Sequence, residues 1–382
     1  MQRVKHFRRL QSRLREVSGN RVDQGLWSGP LTSAQMDRET ILSREIQEQP
    51  EALARLLTDA SDSVREAAAR VVAFQPEVVL LAARGSSDNA ARYAQYLLGA
   101  LHGYVVALAT PSLFTLYRRP PRLRRTLTIG ISQSGQSPDV VAVLEETRRQ
   151  GGLTLAITND QASPLAQASA VCISLGMAPE QSVAATKTYT GTLEVLAMLS
   201  AQMDGKPVRR EELQSVPRAI SQVLALRASI AAAARAYGAH ARFLVLGRGY
   251  NYSTAFEIAL KMKEVSRVAT EAYSMADLMH GPVTMVDESL PVLLVAPSGA
   301  GSDESPSLLT RLQELGAKSI VISDRPALLE KSDAAFPMPQ VPEWLSPLVA
   351  VVPGQLWALE LALARGCDPD HPRGLSKITR TH

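Results

Sequence analysis

The amino-acid sequence predicts an α/β protein with two tandem domains, each of them a parallel sheet sandwiched between helices. The chain has 382 residues, which is enough for two domains that each bury a core. Short apolar runs of strand length alternate with segments of helical periodicity, and this alternation is typical of a parallel sheet covered on both faces. The second half of the chain also repeats landmarks of the first half.

The duplication is visible as four residue pairs that share one offset along the chain. Each pair is separated by 164 positions, as 248 − 84 = 164 shows for the first. All four pairs lie at matching places in a strand–loop–helix unit, which indicates a tandem repeat. The pairs are Arg84-Gly85 with Arg248-Gly249, Ser134-Gly135 with Ser298-Gly299, Gly152 with Gly316, and Asp160 with Asp324.

Hydrophobic periodicity predicts the order of the elements. Residues 36–72 carry apolar side chains at helical intervals and form a helical lead-in, and a first domain follows at 73–209. An Ala-rich helical connector at 210–238 precedes a second domain at 239–365 and a C-terminal active-site tail at 366–382. The predicted elements of the first domain are a strand at 78–83, a helix at 89–101, strands at 104–109 and 127–131, a helix at 138–150 and a strand at 153–158.

The positive charge of the chain is concentrated at its N-terminus. The net charge is +4, but residues 1–35 contain seven Lys or Arg and two acidic residues, so the other 347 residues carry 34 − 35 = −1. We expect residues 1–35 to be a disordered basic extension. The arginine cluster at 118–125 is interpreted as a solvated loop. Neither segment has interleaved aromatic residues, so no nucleic-acid partner is expected.

Cysteine use and hydropathy favour a cytoplasmic protein. Cys172 and Cys367 form neither a CxxC motif nor a zinc set, so we expect two reduced thiols and no metal site. The most apolar stretch, residues 348–364, contains Pro353, Gln355 and Glu360, so no membrane span is expected. The N-terminus also lacks the apolar core of a signal peptide.

Two serine-rich loops follow predicted strands of the first half, where ligands bind in open parallel sheets. Ser86 and Ser87 follow the strand at 78–83 and open a helix. The run Ser132-Gln133-Ser134-Gly135-Gln136-Ser137 follows the strand at 127–131, with Ser137 at the N-cap and Pro138 at the first helical position. Amides and hydroxyls at a helix start suit a phosphate, whereas ordinary capping accounts for one hydroxyl in each loop.

Nucleotide cofactors are not predicted. The segment Gly247-Arg248-Gly249 has Tyr252 where the third glycine of GxGxxG would stand, and the chain contains no GxxxxGK[ST] motif. We therefore expect a phosphorylated ligand and no cofactor.

One helix of the second half carries three charged residues on one face. Glu257, Lys261 and Glu264 are spaced i, i+4 and i+7. An exposed salt-bridge ladder explains this spacing, and so does a partly buried carboxylate poised for proton transfer. From the residues alone, His280, before a turn, is typical of a structural histidine, and Lys377, in the tail, of a solvated lysine, with catalytic roles as the alternative.

Seven segments form a set that resembles a known family. They are Arg84-Gly85-Ser86-Ser87, Ser132-Gln133-Ser134-Gly135, Val183-Ala184-Ala185-Thr186-Lys187, the helix at 257–264, Glu271-Ala272-Tyr273, His280-Gly281-Pro282 and the tail at 372–379. In order and spacing they resemble the double SIS (sugar isomerase) domain, the isomerase half of glutamine:fructose-6-phosphate aminotransferase. The resemblance extends from about residue 37 to the C-terminus. It implies two tandem SIS domains of flavodoxin-like, three-layer architecture.

The resemblance also implies a binding role for several side chains. The phosphate of a sugar phosphate would be held by the loop after the strand at 127–131, and the sugar by three other segments. The residues implied to bind the phosphate are Ser132, Gln133, Ser134 and Ser137, and those implied to bind the sugar are Ser86, Ser87, Val183, Ala185 and Ser376.

The catalytic residues implied by the family lie in the second half and the tail. Glu264 would move a proton between C1 and C2, supported by Lys261 and Glu257. His280 would assist ring opening, reaching the site from the neighbouring subunit of a homodimer whose active sites lie near the interface. Lys377 matches a tail lysine that forms a Schiff base with the open-chain ketose.

Within the family, the chain resembles the stand-alone type II glucosamine-6-phosphate deaminases, which release fructose 6-phosphate and ammonia. The segment before the first SIS domain is too short for the glutaminase domain of the synthases, and no cysteine precedes Cys172. Ala185 stands where the synthases have a serine. Three alternatives remain: an aminating isomerase that lacks the glutaminase domain, a deaminase or deglycase for a related sugar phosphate, and a non-catalytic sugar-phosphate sensor.

Overall fold

The fold is described from a computed structural model, which gives residues 39–375 and Lys377. The predicted basic extension and Ser376 lie outside the described residues. Within the described part of the chain, two five-stranded parallel sheets form the centres of two α/β units. The predicted fold class is therefore confirmed.

The helical lead-in consists of three helices, α1 (Ile41–Gln47), α2 (Gln49–Asp59) and α3 (Ser61–Phe74). The break between α1 and α2 has a local cause, because Pro50 has no N–H to donate to the carbonyl of Ile46. The side-chain amide of Gln49 donates to that carbonyl instead, at 2.9 Å. The carbonyl of Ile46 therefore keeps a hydrogen-bond donor although the helix is interrupted.

The first sheet has the strand order β2-β1-β3-β4-β5. Every residue of its central strand β3 is buried, as expected for a strand covered on both faces. The elements are β1 (Val78–Ala82), α4 (Ser86–His102), β2 (Val105–Leu108), α5 (Ser112–Thr115), β3 (Thr126–Ile131), α6 (Pro138–Arg149), β4 (Leu153–Thr158), α7 (Pro164–Ala168), β5 (Val171–Ser174) and α8 (Lys187–Asp204).

The connector between the sheets is helical, as expected. It consists of α9 (Pro207–Gln214), α10 (Val216–Leu224) and α11 (Arg227–Tyr237). Pro207 and Pro217 each lie in the first turn of their helix, where the missing N–H costs nothing.

The second sheet repeats the first. Its elements are β6 (Arg242–Gly247), α12 (Tyr252–Ser266), β7 (Ala269–Ser274), α13 (Met275–Met279), β8 (Val292–Val295), α14 (Ser305–Glu314), β9 (Ser319–Ser323), α15 (Pro326–Leu329), β10 (Ala334–Pro337) and α16 (Ser346–Ala364). The strand order β10-β9-β8-β6-β7 is that of the first sheet read from the other edge. β1 and β6 begin 242 − 78 = 164 residues apart, and so do β2 and β7 at 269 − 105 = 164. The predicted repeat is confirmed.

Helix α16 runs through the centre of the protein. The helical segment Glu343–Ala364 is long and apolar enough to cross a membrane, but 94% of its apolar window is buried inside the protein. Its polar side chains have partners: Gln355 accepts from Gln49 at 2.8 Å, and Glu360 accepts from Arg227 at 2.8 Å. Such a helix is a core element shared by both α/β units.

Other sequence expectations concern the surface and the thiols. The arginines at 118–125 are all exposed, in agreement with a solvated loop. Cys172 and Cys367 are free. Among the described residues, no cluster of His, Cys, Asp or Glu has the geometry of a metal site.

Helix α8 carries a buried carboxyl group, that of Glu194. Within the described part of the chain neither of its oxygens has a hydrogen-bond partner, and burial raises the pKa of Glu194 well above the usual 4.5. The folded state therefore holds a proton that the unfolded state releases. Stability falls as pH rises from the unfolded pKa through the folded pKa.

We expect Glu194→Met to stabilise the protein at pH 8 by about 1–3 kcal/mol, because it removes an unsatisfied polar group from the core and keeps the side-chain length. The gain should shrink at pH 5, close to the unfolded pKa. Urea unfolding at the two pH values measures both gains. A loss of stability at pH 8 would contradict this prediction, and so would an equal gain at both pH values.

Candidate functional site

A cavity of about 360 Å³ opens where β1 and β3 of the first sheet end. Its walls come from the loops after these strands, from the segment between β5 and α8, from α12 of the second unit and from the C-terminal tail. Of the predicted site residues it brings together Ser86, Ser87, Ser132, Gln133, Ser134, Ser137, Val183, Ala185, Lys261, Glu264 and Lys377. Arg84, Gly85, Glu180 and Leu375 also line it.

The serine loop, residues 132–137, connects β3 to α6 in a tight turn. Gly135 has φ +63°, and a Cβ there would lie 2.1 Å from the hydroxyl of Ser163, so only glycine fits. The amide of Gly135 donates to Ser132 Oγ at 3.2 Å. Ser137 and Pro138 occupy the predicted N-cap and first-turn positions of α6.

Ser137 does not cap α6 with its side chain, although it stands at the N-cap position. Its hydroxyl makes no capping bond to the amides of the described helix and lies 3.4 Å from Ser132 Oγ, at the cavity wall. The alternative of ordinary capping therefore does not account for this hydroxyl. Amides and hydroxyls around a helix start are instead arranged as an anion site.

Ser137→Ala is expected to weaken binding of a hexose 6-phosphate about tenfold, the effect of one lost hydrogen bond to a charged group. The free energy of unfolding should change by less than about 0.5 kcal/mol, because no cap is lost. Calorimetric binding and urea unfolding measure the two quantities.

Ser163→Ala is the matched control for capping, since Ser163 does cap α7 through its hydroxyl. This control should lose about 1 kcal/mol of stability. A Ser137→Ala protein that loses the same stability and keeps its affinity would show that Ser137 is only a cap.

The second serine loop connects the two units. Gly85, with φ +58°, ends the connection from β1, and Ser86 then begins α4. Ser86 Oγ donates to Glu257 Oε1 at 2.9 Å and accepts from Lys261 Nζ at 3.1 Å. Ser86 is thus held against α12.

Glu257, Lys261 and Glu264 form an ion triad along α12. Lys261 Nζ lies 3.4 Å from Glu257 Oε1 and 2.5 Å from Glu264 Oε2. The side chain of Glu257 is fully buried, that of Lys261 is 3% exposed, and that of Glu264 is 21% exposed at the cavity. An exposed salt-bridge ladder is therefore the wrong interpretation of the spacing.

Burial and ion pairing act in opposite directions on the pKa values of Glu257 and Lys261. Burial raises the pKa of Glu257, against the opposing effects of Lys261 and of hydrogen bonds from Asn89 and Ser86. Burial acts to lower the pKa of Lys261, but the carboxylates of Glu257 and Glu264 outweigh it, so this pKa is raised. Lys261 is a fixed cation beside the carboxylate of Glu264 that reaches the cavity, an arrangement suited to moving a proton on a bound ligand.

The tail closes the cavity at the segment between β5 and α8. Lys377 Nζ donates to the carbonyl of Ser182 at 2.6 Å and to Glu180 Oε2 at 3.1 Å. Glu180 is itself fixed, since it accepts from the amides of Thr186 and Thr188 at 2.9 and 3.2 Å. The same segment places Val183 and Ala185 at the wall.

Three predicted residues are not in the cavity wall. Glu257 lies behind it, in contact with Ser86 and Lys261. His280 follows α13, is exposed, and is not among the described residues that line the cavity of its own chain. Ser376 lies outside the described residues.

Glu180, Arg84 and Asn89 had no predicted role in the site, although Arg84 belongs to one of the seven matching segments. Asn89 donates to Glu257 Oε2 at 2.8 Å, and its position one helical turn after Ser86 was an available signal. Arg84 binds Asp139 at 2.6 Å, at the start of α6. Glu180 accepts from the amides of Thr186 and Thr188 at the start of α8 but lies outside the first turn of that helix in the sequence, so no local capping pattern pointed to it.

These features define a class of protein: a duplicated parallel α/β protein with a polar cavity at the carboxyl end of its first sheet, where ligands bind in open parallel sheets. The chain belongs to the SIS domain family, since the sequence profile of the SIS domain matches residues 74–201 and 237–365.

Individual relatives agree with this assignment. The glutamine–fructose-6-phosphate aminotransferase (isomerizing) of Thermococcus kodakarensis is 33% identical over 343 residues, which are 87% of this chain and 57% of the relative. The chain thus spans little more than half the length of that curated relative.

The C-terminal domain of glucosamine-fructose-6-phosphate aminotransferase from Francisella tularensis superposes with a TM-score of 0.79 at 26% identity, over 90% of this chain and 100% of that one. A glucosamine-6-phosphate deaminase from Thermotoga maritima shares the fold, with a TM-score of 0.71 at 22% identity, over 90% of this chain and 100% of that one.

Proposed function

We propose that the protein is an aldose–ketose isomerase of amino-sugar phosphates that converts glucosamine 6-phosphate and water into fructose 6-phosphate and ammonia. The observation that carries the proposal is the position of Glu264, which is paired with buried Lys261 and reaches the same cavity that the serine loop lines. One wall suits the phosphate and another suits proton transfer.

The chemistry follows from the residues in the cavity. Ser132, Ser134 and Ser137 bind the phosphate, with Gln133 beside them. Glu264 removes the C2 proton of the open-chain amino aldose and returns a proton to C1, while the carbonyl oxygen gains a proton and the nitrogen loses one. The resulting C2 imine adds water and expels ammonia. Positioned proton transfer of this kind contributes about 10²–10⁴-fold.

Two charged neighbours support the base. Lys261 stabilises negative charge that develops on the substrate as the proton leaves. Glu257 neutralises Lys261 from the buried side and, through Ser86, ties α12 to the first unit. Ser86, Ser87, Val183 and Ala185 contact the sugar chain.

Ring opening requires an acid and base near O5, and we assign it to His280 of a neighbouring subunit. His280 is exposed and outside the cavity of its own chain, so this assignment includes a homodimer with the active sites near its interface. Lys377, held by Glu180 and Ser182, binds the open-chain sugar, and its amine forms a Schiff base by condensing with the ketose carbonyl and releasing water. Ser376 is assigned to the same end of the ligand.

The test is a panel of four reactions followed by proton NMR: glucosamine 6-phosphate, galactosamine 6-phosphate, a fructosamine 6-phosphate, and fructose 6-phosphate with ammonium. We expect fructose 6-phosphate from glucosamine 6-phosphate. If only another member of the panel is turned over, that compound is the substrate and glucosamine 6-phosphate is not. Binding without turnover of any member would identify a sensor.

A second candidate is the aminating reaction, in which fructose 6-phosphate and ammonia give glucosamine 6-phosphate and water. It is favoured by the name of the Thermococcus kodakarensis relative. The two candidates share the site and the proton transfer. Initial rates in both directions, with glutamine and with ammonium as nitrogen donors, distinguish them.

A further inference from the structure

We infer that Glu45, on helix α1 outside both sheets, positions the sugar loop (residues 180–186), and that Asp370 of the tail holds α1 in place. Both are positioning residues, and neither lines the cavity. The inference deepens the proposed function and rests on it only for the identity of the ligand.

The sugar loop depends on Glu45 for two of its backbone amides. The amides of Gln181 and Ser182 donate to Glu45 Oε1 at 2.5 Å and to Oε2 at 3.2 Å. These amides belong to the two residues directly before Val183, which lines the cavity. A carboxylate accepts with both oxygens, so it can bind two successive amides, whereas a glutamine would turn an NH₂ group toward one of them.

Glu45 is itself fixed in the interior. It is 3% exposed, and Lys187 Nζ, at the start of α8, lies 3.6 Å from it and 2.7 Å from Glu48. Lys187 therefore neutralises two carboxylates, that of Glu45 on α1 and that of Glu48 at the C-cap of α1. Within the described part of the chain, Glu45 and not Glu48 accepts hydrogen bonds from the loop amides.

Helix α1 is anchored at its other end by the tail. The amides of Ile41 and Leu42 donate to Asp370 Oδ2 and Oδ1, both at 2.9 Å. First-turn amides have no partner within a helix, and a carboxylate there also interacts favourably with the helix dipole. One residue of the tail thus fixes the helix that carries Glu45.

Ser182 is bonded both to Glu45 and to Lys377 of the tail. The amide of Ser182 donates to Glu45, and its carbonyl accepts from Lys377 of the tail. Docking of the tail therefore acts on the sugar loop twice, once directly through Lys377 and once through Asp370 and α1. This arrangement couples tail docking to the shape of the sugar wall.

Hydrogen exchange of peptides covering 178–188, measured on the full chain without ligand, tests the role of Glu45. Glu45→Gln should accelerate exchange about tenfold, because two amides lose a charged acceptor. Glu48→Gln is the matched control, because it shares Lys187 and should leave the loop near the wild-type rate. Equal exchange in Glu45→Gln and wild type would overturn the inference.

The role of Asp370 is tested in the same way, with Asp62→Asn as the control, because Asp62 is an exposed first-turn aspartate of α3 that pairs locally with Arg65. Asp370→Asn should also accelerate exchange of the sugar loop, and the double variant with Glu45→Gln should show less than the product of the two single effects. Asp370→Asn exchange at the wild-type rate, or a double effect equal to the product, would overturn the coupling. Should Glu45→Gln fail to fold, Asp370→Asn alone decides the inference.

A kinetic readout separates positioning from general loss of structure. With glucosamine 6-phosphate, Glu45→Gln should raise KM about tenfold more than it lowers kcat, and Glu45→Asp should recover part of the affinity. Equal loss in both constants would indicate a structural role only. The exchange measurements need no turnover, so they stand even if the proposed substrate is wrong.

Discussion

Glu264→Gln is expected to bind glucosamine 6-phosphate about as tightly as the wild type and to lose nearly all turnover. The amide keeps the size of the side chain and an oxygen for Lys261, which lies 2.5 Å from Glu264 Oε2, but it cannot take up a proton. The fall in kcat should be about 10²–10⁴-fold, the usual contribution of a positioned general base. Steady-state kinetics and calorimetric binding measure the two effects separately.

Glu314→Gln is a suitable control for the loss of a carboxylate. Glu314 is exposed on α14 and pairs with Arg311, so its amide variant should keep the wild-type kcat. If Glu264→Gln retains kcat within about threefold, proton transfer does not depend on this carboxylate. The assignment of the base would then be wrong.

Lys261→Met is expected to destabilise the protein by about 3–5 kcal/mol, because it leaves the buried carboxylate of Glu257 without its cation. Ser86 and Asn89 still donate to Glu257, but these hydrogen bonds do not replace a charge. The pKa of Glu257, already raised by burial, rises further in the variant. Folding then requires protonation of Glu257, so the loss of stability is larger at pH 8 than at pH 5.

The double variant Lys261→Met/Glu257→Gln isolates the charge effect. It should recover the part of the lost stability that comes from the fully buried charge of Glu257, since only Glu264, which is 21% exposed at the cavity, is then left without Lys261. Urea unfolding of the wild type, both single variants and the double variant gives the coupling energy. Additive losses would show that packing, and not charge, accounts for the effect of Lys261.

The duplicated sheet could be predicted because its signals are local. Strands buried on both faces are short apolar runs, and the 164-residue offset predicts where the second set occurs. The first turn of α4 was less clear: the structure begins this helix at Ser86, three residues before the predicted start. Its opening residues, Ser86, Ser87 and Asp88, are polar, so hydrophobic periodicity does not report them.

The candidate site was predictable where the chemistry is carried by compact motifs, such as the serine loop and the triad of α12. The supporting contacts were not, because they join distant parts of the chain. Glu45 meets Gln181 across 136 residues and Asp370 meets Ile41 across 329. A single carboxylate has no periodic pattern, so only the folded structure shows its partners. The same reason applies to Glu180 and Lys377.

The measurement that tests the central claim most directly is ammonia release from glucosamine 6-phosphate by the purified protein, with fructose 6-phosphate determined in the same sample. The account predicts equal amounts of ammonia and fructose 6-phosphate from the wild type and almost none from Glu264→Gln. A wild-type protein that binds the amino-sugar phosphate in this cavity but releases no ammonia would contradict the claim.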